Sequence, residues 1–78
     1  MPRDFRPCTL LGAVNMEMGN YGIGQEWYRK AEDRGATRDV IDHELRVIFR
    51  RADKTKRAEI KAFLLGEDPV RYEWVDSN

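Results

Sequence analysis

Apolar residues recur at three- and four-residue steps through most of this chain and shift to every second position near its end. From Arg38 to Ala52, Ile41, Leu45, Ile48 and Ala52 form one stripe, widened by Val40, Val47 and Phe49, with Asp39, His43, Arg46 and Arg50 opposite. That spacing predicts an amphipathic helix with one face in a core. Thr37 stands where a hydroxyl caps the helix start, and Asp39 places negative charge in the first turn, where the helix end is positive. A second helix of the same kind follows, capped by Asp53 or Thr55, with Ile60, Phe63 and Leu64 on its buried side and Gly66 and Pro69 to stop it.

The first half reads as two helices folded over a turn. Cys8 to Met18 is the first; Gly19 and Asn20, which both tolerate positive φ, end it and reverse the chain. The next helix begins near Tyr21 or Ile23 and ends before Gly35. Gly22 and Gly24 weaken its start by about 1 kcal/mol each relative to alanine, so either they permit close helix packing or the helix begins later. Pro2 and Pro7 disfavour helix in the residues before them and predict an arm over 1–7. Val70, Tyr72 and Trp74 alternate with Arg71 and Glu73, the period of an extended segment.

These elements predict a single all-α domain, a compact bundle of about four short helices over 8–66 with an extended, acidic C-terminal arm over 67–78. The alternative is α+β, with Thr9 to Val14 pairing with the C-terminal segment as a small strand pair.

Composition narrows the function classes. The 41% hydrophobic and 36% charged residues are those of a soluble domain, and a chain of 78 residues buries a small core that makes partners or self-association plausible. Fourteen basic and fourteen acidic side chains cancel, so the molecule as a whole lacks the positive field of a protein that coats nucleic acid by charge alone. One cysteine, Cys8, excludes an internal disulfide and a structural zinc cluster and fits a cytoplasmic location. The single histidine, His43, has no second imidazole or thiol one turn away. Gly22-x-Gly24 lacks the third glycine and the preceding strand of a dinucleotide loop. No catalytic constellation, metal or cofactor is expected, nor a membrane partner.

Leu11-Gly12, Gly19, Tyr21, Tyr28 and Ala31 resemble a tetratricopeptide unit over residues 8–36. The resemblance implies a helical hairpin that presents a surface to a protein, with a second unit about 34 residues on. Asp42-His43-Glu44-Leu45-Arg46-Val47-Ile48-Phe49 with Ala52-Asp53 resembles the central helix of the Hha/YmoA-type modulators of bacterial nucleoid proteins. That resemblance implies that Asp53 belongs to a surface holding a DNA-binding partner.

Two surfaces follow. Trp27 and Tyr28 are adjacent on one helix and point about 100° apart, so one faces the core while the other sits at an edge, open to a partner. With Asp53 and Trp74 they form the expected partner-binding set of a non-enzymatic interaction module. Such a module would bind or inhibit a host complex in the manner of small bacterial or phage-borne modulators. The alternative is a nucleic-acid-binding regulator. Arg46, Arg50, Arg51, Lys54, Lys56, Arg57 and Lys61 crowd one stretch against only Asp53 and Glu59, and would neutralise phosphates if they projected together. The expected partners are thus a protein, a nucleic acid contacted directly or through that protein, or a second copy of the chain.

Overall fold

Four helices follow one another in the computed structural model, which describes residues 4–76: α1 (Arg6–Glu17), α2 (Tyr21–Asp33), α3 (Arg38–Arg51) and α4 (Lys54–Glu67). A 3-10 turn, Glu73–Asp76, ends the described chain. The fold is an all-α bundle, and no strand occurs among the described residues. Thr9 to Val14, the strand of the α+β alternative, lies inside α1.

The helix boundaries follow local chemistry. Thr37 caps α3 by accepting the Val40 N–H at 3.2 Å, and Asp53, rather than Thr55, caps α4 by accepting the Lys56 N–H at 2.8 Å. Gly19 and Gly35 take φ of +88° and +105° and close the turns after α1 and α2, a conformation that costs a side-chain-bearing residue. Helix α4 passes through Gly66 and ends at Glu67, because Asp68 precedes Pro69 and is pushed into extended geometry (φ −158°, ψ 91°).

The N-terminal arm is shorter than the prolines suggested. Pro7 sits in the first turn of α1, where its missing N–H would have had no helical partner anyway. Asp4 then receives the Arg6 N–H at 3.0 Å. Residues 1–3 of the expected arm and 77–78 of the expected tail lie outside the described residues.

Helices α1 and α2 pack closely because two glycines lie between them. A Cβ added at Gly24 would stand 2.8 Å from Met16 Cγ and 3.0 Å from the Gly12 carbonyl oxygen; at Gly12 it would stand 2.9 Å from Tyr28 Cζ. Gly24 therefore serves helix packing, whereas Gly22 faces open space. Helices α3 and α4 approach each other over much less of their length. Their ends, Arg51 and Glu67, nonetheless fall 34 residues after Glu17 and Asp33, the ends of α1 and α2.

Met16, Tyr28, Ile41, Leu45, Ile60 and Leu64 form the solvent-free centre. The C-terminal segment completes it. Instead of an extended arm, residues 69–76 turn and wind back, burying Tyr72, Trp74 and Val75 while Val70 points outward. The alternation does not mark a buried face: Tyr72 and Trp74 pack onto the helices, Val70 does not, Val75 from the opposite register does, and no strand among the described residues offers a ladder.

Candidate interaction surface

The residues expected to meet a partner divide by burial. Tyr28 and Trp74 are core residues, 2% and 7% exposed, so neither is available to a partner. Tyr28 fills the space left by Gly12, and Trp74 sits edge-on to Phe49 and Tyr72 at ring separations of 5.9 and 6.2 Å. Trp27 is half-buried at the edge of α2, with Lys30 Nζ 4.4 Å from its ring centre. Asp53 is exposed, but its carboxylate is engaged as the α4 cap.

The seven basic residues do not project together. Arg57 turns inward and donates to the carbonyls of Phe49, Arg50 and Ala52 at 3.1–3.3 Å, satisfying acceptors that the end of α3 leaves open. Lys56 donates to the Glu17 carbonyl at the end of α1. Lys61 pairs with Asp76 at 2.9 Å, and Arg46 lies 5.3 Å from the Trp74 ring centre. Arg50, Arg51 and Lys54 remain at the α3–α4 corner with no ion pair or side-chain hydrogen bond to other described residues.

A polar cleft of about 250 Å³ lies between α2, the end of α4 and the C-terminal segment, lined by Gln25, Arg29, Glu32, Glu67, Arg71 and Tyr72 among others. Its groups largely satisfy one another. Gln25 donates to Glu67 at 2.7 Å and to the Tyr72 hydroxyl at 3.0 Å; Arg29 reaches Glu67 at 3.2 Å. Arg71, mostly buried, spans Asp42 of α3 at 3.1 Å and Glu32 of α2 at 3.8 Å. Such mutual pairing marks a clasp that holds the tail down, and leaves little for a ligand to bond.

Elsewhere, four of the six exposed large hydrophobic side chains among the described residues lie on α1 or its C-cap. Cys8, Thr9, Gly12 and Met16 face the core, while Leu10, Leu11, Val14 and Met18 are 65%, 39%, 41% and 67% exposed. At 100° per residue the outer four share one side of the helix, with Val14 near its middle. Ile23, at the start of α2, is exposed as well. No charged residue occurs between Arg6 and Glu17. Single exposed leucines are ordinary, but an uncharged strip running the length of a helix is what marks an interaction site.

Sequence reading missed this face, although a signal for it was present. The run Cys8 to Val14 is apolar nearly all round, and a helix with that pattern needs cover on both sides. Helices α2 and α3 both pack on the side that carries Cys8, Thr9, Gly12 and Met16, and leave the other side bare.

No family model, curated protein or solved structure matches the chain. Among the described residues no three His, Cys, Asp or Glu side chains are grouped to hold a metal ion, and no helix is long and apolar enough to cross a membrane.

Proposed function

We propose that this protein is a non-enzymatic protein-interaction module whose docking surface is the outer face of α1. The observation that carries the reading is the uncharged strip Leu10, Leu11, Val14 and Met18, exposed on a helix whose opposite side is fully committed to the core. A strip without charge gains most from burial against another apolar protein surface and gains nothing from phosphates. Binding there would modulate or inhibit the partner, the role expected of a small helical domain built around a hairpin.

The test compares tagged wild type with Leu10→Glu and Val14→Glu, cross-linked in the native host, with Glu26→Ala on exposed α2 surface as the control. The reading requires that the α1 variants, folded by circular dichroism, lose the wild-type cross-linked complexes while the control keeps them. Retention of those complexes by folded Val14→Glu would remove it.

A nucleic-acid-binding reading keeps one specific observation in its favour, the three cations Arg50, Arg51 and Lys54 at a single corner. Its ceiling is low. Three phosphate contacts give a slope of log K against log salt of about −2.7 on duplex DNA. Binding with a slope near that value, lost when those three become alanine, would transfer the assignment to this corner.

A further inference from the structure

The outer strip of α1 has an internal symmetry that selects its occupant. Arg6 and Glu17 flank the strip near its two ends, eleven residues apart, which is three turns with only about 20° of rotation left over. They therefore lie on the same flank of the Leu10 and Val14 line, one at each end. Two helices paired antiparallel about a two-fold axis keep equivalent flanks on the same side of the pair. An antiparallel pairing of α1 with an identical helix thus sets Leu10 against Val14 of the second copy, Pro7 near its Met18, and Arg6 beside its Glu17. The two-fold makes each contact twice. A parallel pairing would set Glu17 level with Glu17 and Arg6 level with Arg6 on opposite flanks, bringing neither to its opposite charge.

We propose that the occupant of this face is a second copy of the chain, held antiparallel through α1. The inference rests on the reading of α1 as the docking surface. Charge complementarity carries it further: Arg6 and Glu17 stand at opposite ends of the face, the arrangement that complements itself under a two-fold, and Lys56 beside the Glu17 end is held on the Glu17 carbonyl, leaving the carboxylate without an ion pair to another described residue. Opposed helix dipoles favour the same orientation. Within one chain Arg6 is forked onto Asp4 at 3.0 and 3.1 Å, but its guanidinium is largely exposed, so the side facing solvent can also meet Glu17 of a second copy. Twelve residues of helix span about 18 Å, which puts the interface at the small end of specific contacts and the dissociation constant in the micromolar-to-millimolar range.

Sedimentation equilibrium of the full chain from about 10 µM to about 1 mM tests the proposal. Wild type is expected to move from monomer toward dimer mass across that range, and Val14→Glu to stay monomeric. Arg6→Glu turns both end contacts into repulsions and is expected to weaken the dimer about tenfold; Arg6→Glu with Glu17→Arg restores opposite charges and is expected to recover it. Both reversals suit the α1 dipole, and because Arg6→Glu also loses the pair with Asp4, circular dichroism of that variant must show an intact helix content. A wild type monomeric at about 1 mM overturns the proposal, as does a double reversal no tighter than Arg6→Glu alone. A monomeric wild type whose cross-linked complexes are lost in Val14→Glu overturns the second copy but spares the docking face; if those complexes survive Val14→Glu, both fall.

Discussion

Tyr28 is the residue on which the first hairpin closes, and it carries an unanswered polar group. Its ring fills the hollow above Gly12, yet its hydroxyl has no hydrogen-bond partner among the described residues. A buried hydroxyl without a partner costs more than it returns. Tyr28→Phe keeps the ring and deletes that cost, so it should raise stability by about 0.5–2 kcal/mol, seen as a midpoint shift of several degrees in a thermal melt. A loss of stability would show that the hydroxyl is satisfied after all. The tyrosines also set the alkaline limit of the fold. Burial and the 2.7 Å bond to Glu59 push Tyr21 up to about 12, while burial raises Tyr28 and Tyr72. The unfolded chain releases these protons near pH 10, so the folded state holds protons that the unfolded state has lost. Their contribution is whole below about pH 10 and drains away as pH rises through 12. Melts at pH 8, 10 and 11 should show the midpoint flat and then falling, with absorbance at 295 nm rising as the protein unfolds.

At the scale of elements, two glycines two residues apart on α2 make opposite demands. A Cβ on Gly24 would stand 3.0 Å or less from Met16 and the Gly12 carbonyl oxygen, so Gly24→Ala must push α1 away and should cost about 1–3 kcal/mol. A Cβ on Gly22 would meet nothing within 4 Å beyond its own helix backbone, and Gly22→Ala should instead stabilise α2 by about 1 kcal/mol through helix propensity. Urea unfolding of the two variants separates them, and equal effects would mean that the helices do not approach so closely. Such pairs show what was legible in the chain. The cap at Thr37 and the stripe of α3 act through neighbours three or four residues away, so they could be read directly, and the α4 cap was narrowed to Asp53 or Thr55, of which the structure uses Asp53. The division between Gly22 and Gly24, or between Tyr28 inside and Trp27 at the edge, depends on where another helix lies. So did the basic segment. Its charges are adjacent in sequence, but Arg57 is consumed by the end of α3, Lys56 by the end of α1 and Lys61 by the tail.

The whole molecule is thin, with extents of 41 × 25 × 18 Å and a radius of gyration of 12.0 Å. A compact chain of this length has a radius near 11.5 Å, and 18 Å admits about two layers of helices. In so shallow a body every helix keeps an outer side, which is why α1 can be essential to the core and still expose a strip of leucine, valine and methionine. Thinness also makes the C-terminal segment indispensable. Tyr72, Trp74 and Val75 contribute three of the buried apolar residues, at about 1.5–3 kcal/mol each, and the total stability of so small a domain lies at the low end of about 5–15 kcal/mol. A chain ending at Asp68 should therefore lose its cooperative melt. Arg71→Met keeps the segment but strips Asp42 and Glu32 of their shared cation, and should cost about 1–2 kcal/mol. Lys61→Ala removes the exposed pair with Asp76 and should change stability by less than about 0.5 kcal/mol. Circular dichroism melts of the three place them in that order. The order distinguishes a tail that is part of the core from one merely pinned to the surface by charge: pinning would make Lys61→Ala as damaging as Arg71→Met and leave the truncated chain folded.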